Sequence, residues 1–376
     1  MQWVRAGMIA RKPSKASCYD RVLMADGLNF AGKREWLARG LLWSGVTSLL
    51  SQIPSRDSLL VLNYHRIGDP NDDLFDPGVF SATADQFNDQ ISHLKRSASL
   101  VTLEEALEFV SGAGAAKGTA CRCRVLITFD DGYRDNYDVA YPILRSQGVQ
   151  GVFFLATSMV GSNAVPWWDR VAWLMKTAQR RRFTLRLSGE IAAPAELRVD
   201  IDRNGLPESL QAVLKLYKTQ ENLDPARLIR QLIEEAKAEE VPETARRFLS
   251  WDEAREMSRG GMAIGSHTQS HAVLAQMSPP RQFEELSGSR AILKEQLGAE
   301  VDVLAYPVGH RDSFSEETER LAQEAGYRGA FSHYGGINLR GTTSAFDIKR
   351  TKVVRQSMSR FQVQTAVCRA TGKYWP

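Results

Sequence analysis

The sequence predicts an α/β fold in which buried strands alternate with amphipathic helices. Three observations carry this. Short apolar runs recur along the chain: LLVLNYH (59–65), RVLITFD (124–130), GVFFLAT (151–157), MAIGSH (262–267), DVLAYP (302–307) and RGAFSH (328–333). Most are continuous rather than alternating, as expected of strands buried on both faces of a sheet or barrel. Helix signals fall between them, and the chain has 376 residues with 43% hydrophobic content, enough for one large core or a core plus a smaller subdomain.

The helix signals are specific. Ser250-Trp251-Asp252-Glu253 reads as a capping box, with Gly260 as the stop. Ser278 is an N-cap candidate with Pro279 in the first turn and Gly298 past the end. Ser315 opens a helix that Gly326 closes. Each of these stops leads into a strand within a few residues. The stretch 161–248 breaks the rhythm, with helical patterns at 168–180, 208–219 and 225–239 and a short strand candidate, FTLRL, at 183–187. Asp224-Pro225 marks the start of the last helix. We read 161–248 as an insertion that forms a lid or side wall on a main domain spanning 59–356, with residues 357–376 as a C-terminal tail.

Charge is uneven. Residues 1–58 hold nine Lys/Arg and four Asp/Glu, a net +5, and the remainder holds 39 against 40, a net −1. The near-neutral body excludes a nucleic-acid footprint. The basic N-terminal segment suits contact with anionic lipid or a loosely ordered leader. Within it, WLARGLLWSGVTSLL (36–50) is apolar at helical spacing, which fits packing on the domain or lying on a membrane surface. No stretch reaches 18 uninterrupted apolar residues, so no membrane span is expected. Residues 1–28 lack an apolar segment followed by a small-residue cleavage site, so no secretory signal is expected. The cysteines, Cys18, Cys121, Cys123 and Cys368, form no CxxC pair and no disulfide framework. The expected location is cytoplasmic, extending to the inner face of the membrane.

Two motifs carry chemistry. Ser266-His267-Thr268-Gln269-Ser270-His271 follows a strand, and its two histidines are four apart. One helical turn places such a pair on one side, where both imidazoles can reach one metal ion. Thr128-Phe129-Asp130-Asp131-Gly132 ends an apolar strand. Neighbouring side chains on a strand point opposite ways, but at a strand end that turns at Gly132 both acids can reach one pocket. Alone, the pair reads equally as a helix cap and a surface acid. Together the motifs give an aspartate and two histidines as ligands, as in a catalytic zinc site with open positions for water and substrate. The second aspartate is then free to act as a base.

TFDDG, then SHTQSH, then LAYPVG (304–309), with the leading helix FLSWDEAREMSRGGMAIGSHT, resemble the polysaccharide deacetylases, carbohydrate esterase family 4 with the NodB-homology domain. The resemblance covers roughly 59–160 and 249–356 and is closest to the exopolysaccharide deacetylase branch. It implies a deformed (β/α) barrel with a helical insertion and metal-dependent removal of N-acetyl groups from amino sugars of a glycan. It also implies a divalent cation, most simply Zn2+, held by Asp131, His267 and His271, with Asp130 as the general base. Val308 occupies the position whose backbone N–H helps hold the oxyanion, and Tyr306 lies in the same substrate-binding motif.

Many family members read Arg-Pro-Pro-Tyr-Gly at this motif, whereas here Ala305-Tyr306-Pro307-Val308-Gly309 lacks the arginine. Asp347 and Arg350 are candidates to replace it. The late Leu-x-x-His motif that supplies a general acid has no clear copy. His65, in Leu62-Asn63-Tyr64-His65, is the preferred acid and His333 the second candidate. His93 reads as structural, and His310 as a substrate contact. Trp167-Trp168 opens the insertion, and Trp168 is a candidate for stacking on a sugar ring. The rival readings are a hydrolase of a small amide on the same fold and a non-catalytic sugar-binding homologue. A two-histidine, one-carboxylate oxygenase leaves the paired aspartates unexplained.

Overall fold

The computed structural model describes residues 35–41, 44, 57–70, 73, 75–113, 123–187, 195–219, 225–242 and 247–371. Seven strands form its centre: β1 (Ser58–Tyr64), β2 (Arg124–Phe129), β3 (Gly151–Leu155), β4 (Ala263–Ser266), β5 (Val303–Ala305), β6 (Gly329–Ser332) and β7 (Ile348–Lys352). Each pairs in parallel with the next, and β7 pairs with β1, so the sheet closes into a barrel. Closure removes the open edges that a parallel sheet would otherwise present.

Helices cover the outside. They are α1 (Ala84–Ser97) and α2 (Leu103–Ser111) between β1 and β2, and α3 (Tyr141–Gln147) between β2 and β3. The insertion after β3 carries α4 (Trp167–Lys176), α5 (Leu206–Thr219) and α6 (Pro225–Ala236). After it come α7 (Trp251–Arg259), α8 (Pro279–Leu297), α9 (Glu316–Glu324) and α10 (Met358–Thr371). The box read at Ser250 is present, with reciprocal bonds between Ser250 and Glu253, and Thr83, Thr102 and Ser315 form equivalents. Ser278 precedes α8 without a side-chain cap bond.

Strand alternation divides the core. Leu59, Val61, Leu126, Val152, Phe154, Val303, Ala305, Phe331 and Ile348 share one cluster inside the barrel. Leu60, Leu62, Tyr64, Val125, Ile127, Phe129, Phe153 and Leu155 share another with residues of the covering helices. This parity decides which residues beyond each strand's last apolar position enter the barrel mouth.

The insertion has its own core, with Trp168, Val171, Leu174 and Met175 of α4 against Phe183, Leu185, Leu228 and Leu232. FTLRL forms one arm of a hairpin, Arg182–Leu187 with Ala195–Asp200. The chain returns beside the Asp-Asp-Gly turn: Arg134 N–H bonds Arg247 O at 2.7 Å and Leu249 N–H bonds Gly132 O at 2.9 Å.

Two expectations are corrected. β7 is absent from the strands read in the sequence, because Ile-Lys-Arg-Thr-Lys carries charge where a buried strand is expected to be apolar. The segment after 357 is not a tail: α10 packs onto the barrel, with Phe361 and Cys368 buried in the outer core. Of the amphipathic stretch at 36–50, residues 36–41 are helical, and residues 42–50 apart from Ser44 lie outside the described residues.

Candidate active site

The site lies at the C-terminal ends of the strands, where barrel enzymes place their chemistry. Parity brings Asn63 and His65 in from β1, Asp130 from β2, His333 from β6 and Arg350 from β7. Asp131 has the wrong parity for the lumen. Its backbone turns into the left-handed region at φ 73°, followed by Gly132 at 79°, and this brings both acids to one pocket. A Cβ on Gly132 would lie 2.8 Å from Leu155 Cδ2, so glycine serves both the turn and its packing.

Asp131, His267 and His271 offer ligand atoms that all lie within 4.8 Å of one another. Asp131 Oδ1 is 3.5 Å from His267 Nε2 and 3.2 Å from His271 Nε2. His267 Nδ1 lies 2.7 Å from Ala305 O, so it donates there and leaves the Nε2 lone pair facing the acid. Burial pushes the His267 imidazole down to about 4 against the pull of Asp130, which keeps it in the neutral form a metal ligand needs. Asp131 Oδ1 is buried without a hydrogen-bond partner among the described residues. An orphaned carboxylate oxygen between two imidazole nitrogens, with one acid and two histidines as donors, fits a divalent cation.

Asp130 is held differently. Arg350, fully buried, donates Nη1 to Oδ1 at 2.6 Å and Nη2 to Oδ2 at 2.9 Å, and Asn63 Nδ2 donates to Oδ2 at 2.9 Å. Burial favours the neutral acid, but the Arg350 guanidinium, with His267 and His65, outweighs it and holds the carboxyl well below the usual range. Arg350 thus lies on Asp130 where the third motif lacks an arginine. Asp347 instead accepts Ser332 Oγ at 2.6 Å and the Tyr334 hydroxyl.

His65 and His333 flank Asp130, each with a ring nitrogen within 4.8 Å of a carboxylate oxygen. Their ring centroids are 5.7 Å apart. Burial lowers the pKa of both, and for His65 the Asp131 and Asp130 carboxylates oppose it. His333 Nε2 is buried without a hydrogen-bond partner among the described residues. Val308 has φ 64°, and its N–H makes no hydrogen bond among the described residues. Of the five non-glycine residues with positive φ among the described residues, Asp131, Thr268, His271 and Val308 belong to this site. Such conformations cost of order 1–3 kcal/mol each and persist where the surroundings impose them.

Two residues sit differently from their sequence readings. Tyr306 is fully buried, stacked on Phe314 at 4.2 Å, with its hydroxyl on Phe346 O at 3.0 Å. Ala305 faces the lumen, so Tyr306 faces the helices and is not a substrate contact. Trp168 is not an exposed platform. It is 6% exposed, its Nε1 donates to Tyr133 Oη at 2.8 Å, and its ring lies 4.6 Å from that of His271. α4 therefore forms a side wall against one metal-ligand candidate. His93, read as structural, lies in α1, with Nε2 3.4 Å from Ser97 Oγ and its ring edge-on to Phe361. The sequence reading missed Asn63. A polar residue inside the apolar run LLVLNYH was its only signal.

A carboxylate fixed by arginine beside an acid and two imidazoles has the parts of a metal-assisted hydrolase. The polysaccharide deacetylase family profile matches residues 117–330, and the chain belongs to that family. The Bacillus subtilis protein YxkH, whose name places it in the same family, is 21% identical over 204 residues, 54% of this chain and 42% of that protein. The Staphylococcus epidermidis poly-β-1,6-N-acetyl-D-glucosamine N-deacetylase is 32% identical over 118 residues, 29% of this chain and 39% of that protein. The chain thus spans about two fifths of the length of these relatives. The structure of the Streptococcus pyogenes deacetylase PplD in complex with acetate covers 82% of this chain and 98% of its own, at 18% identity and TM-score 0.50, which establishes a shared fold.

Proposed function

We propose that the protein hydrolyses the N-acetyl amide of amino sugars in a glycan, releasing acetate and a free amine. The observation that carries this is Asp130, an ionised carboxylate clamped by Arg350 beside the Asp131–His267–His271 set. Those three residues would hold the cation, and their one-oxygen, two-nitrogen donor set favours zinc. When bound, such an ion lowers the pKa of water and polarises a carbonyl. Asp130 takes the proton from the attacking water. The Val308 N–H, without a partner among the described residues, is the donor for the oxyanion. His65, across from Asp130, protonates the departing amine, with His333 as the neighbour that shapes its surroundings.

The substrate is an N-acetylated exopolysaccharide or cell-wall glycan, in keeping with the named activity of the S. epidermidis relative. The test compares acetate release from N-acetylglucosamine oligomers of increasing length with release from small N-acetyl amides. Faster turnover of longer oligomers supports the polymer reading, and turnover confined to small amides would overturn it.

The reading includes placement at the inner face of a membrane. Trp36 is 76% exposed and Leu37 55%, while Ala38 of the same helical turn is buried and Glu35 accepts from Ser357 Oγ at 2.5 Å. A helix anchored at Ser357, just before α10, with its aromatic edge turned outward, next to a basic segment, suits anionic lipid. Sedimentation with phosphatidylserine vesicles, lost in Trp36→Ser/Leu37→Ser, is the expected result. Equal sedimentation of both proteins would contradict it.

A further inference from the structure

One buried carboxylate has no part in this scheme. Glu285, in the first half of α8, is 8% exposed. Its Oε2 accepts the backbone N–H groups of Gln269 and Ser270, each at 2.9 Å, and its Oε1 accepts Ser270 Oγ at 2.6 Å. No cation lies within ion-pair distance of it among the described residues. Buried carboxylates are ordinarily paired with a positive charge. This one spends every hydrogen bond on the loop that joins His267 to His271.

That loop needs an external hold. Thr268 and His271 adopt φ values of 64° and 60°, a region that non-glycine residues rarely occupy. The two imidazoles are also supported unequally. His267 is oriented by the Ala305 carbonyl, whereas His271 Nδ1 is buried without a hydrogen bond among the described residues. The position of His271 therefore depends on its own backbone, on the Trp168 and His267 rings against it and on the facing Asp131.

α8 is shaped to receive the loop. Ser289 Oγ and Ser266 Oγ are 2.8 Å apart, and Gln269 Nε2 donates to Glu284 O at 2.7 Å. A Cβ at Gly288 would come within 2.2 Å of that Nε2, so a larger residue there would displace the Gln269 amide from Glu284 O. On the opposite side, Thr157 and Ser158 donate their N–H groups to the carbonyls of Thr268 and Gln269 at 3.1 and 3.0 Å. Glu285 closes this clamp by fixing the two amides between the strained positions.

We propose that Glu285 is a positioning residue that sets His271 against Asp131 and thereby the affinity of the site for a divalent cation. The inference rests on the metal-centre reading. Its test is calorimetric titration of Zn2+ into metal-stripped protein, for wild type, Glu285→Ala and Glu285→Gln, with the melting temperature of each metal-free protein beside it. Glu285→Ala is expected to weaken zinc about 10-fold, the low end of the effect of removing a group bonded directly to a metal ligand, because Glu285 acts through the backbone between the two imidazoles. Glu285→Gln keeps an oxygen for the two amides and should stay close to wild type. Glu285→Ala that melts lower yet binds zinc as tightly as wild type would overturn the proposal. Should that variant not fold, Ser270→Ala removes a single donor and should weaken zinc several-fold, and unchanged affinity there would overturn it equally. Wild type that binds no zinc at all would overturn the metal reading, and this proposal with it.

Discussion

Asp130 and Arg350 are buried together, and each justifies the other. A guanidinium inside a barrel is tolerated when its donors are engaged, and here Asp130, Asn63 Oδ1 and Ser332 O take them. Arg350→Met leaves the carboxylate buried and unpaired, and should destabilise the protein by about 3–5 kcal/mol in urea denaturation. Asp130→Asn/Arg350→Met should lose less. Folding lowers the Asp130 pKa below its ordinary 3.8, so the pair's contribution is present above about pH 4 and fades as pH falls further. The stability gap between wild type and Arg350→Met should narrow on acidification, and a gap independent of pH would contradict the pairing. Asp130, Asp131, His267 and His271 were legible as motifs because local spacing alone brings each pair together. Arg350 was legible only as one of two candidates for the missing arginine, and Asn63 not at all, because each gains its role from a strand distant in sequence. Tyr306 misled because its motif says nothing of which face it takes.

At the scale of elements, most barrel strands announce themselves as apolar runs. β7 does not, because its inward positions read Ile348, Arg350 and Lys352, and only closure of the ring explains a charge there. The hairpin arm Ala195–Asp200 was equally hidden by alternating charge. The insertion was visible as a break in rhythm, but its contact with His271 was not. Its helix α4 also buries Asp169, which lies 3.1 Å from Arg247 Nη2 and 3.4 Å from the Tyr133 hydroxyl. Burial pushes this acid up to about 7, against Arg247 and Arg66, with Asp73 and Asp76 adding to the rise. The folded state then holds the proton more tightly than the unfolded chain does, so stability should fall as pH rises from about 4 to 7 and level off above. Asp169→Asn should flatten this stretch of the melting profile, and an unchanged slope would assign it to another group.

The whole molecule is a ring whose last strand supplies the arginine that clamps Asp130, and the chain after that strand closes the outer layer. Phe361 of α10 is fully buried there. Phe361→Ala should cost about 3–5 kcal/mol, measured by denaturant midpoint, whereas a loss below about 1 kcal/mol would mean that α10 is dispensable. The central claim is that this ring holds one metal-dependent hydrolytic site. It is tested most directly by acetate release from N-acetylglucosamine oligomers as Zn2+ is titrated into the stripped protein, with Asp130→Asn in parallel. Release should rise to a plateau at one equivalent of zinc, and Asp130→Asn should bind the same equivalent while releasing acetate about 10²–10⁴-fold more slowly. Release that is indifferent to zinc, or undiminished in Asp130→Asn, would contradict the account.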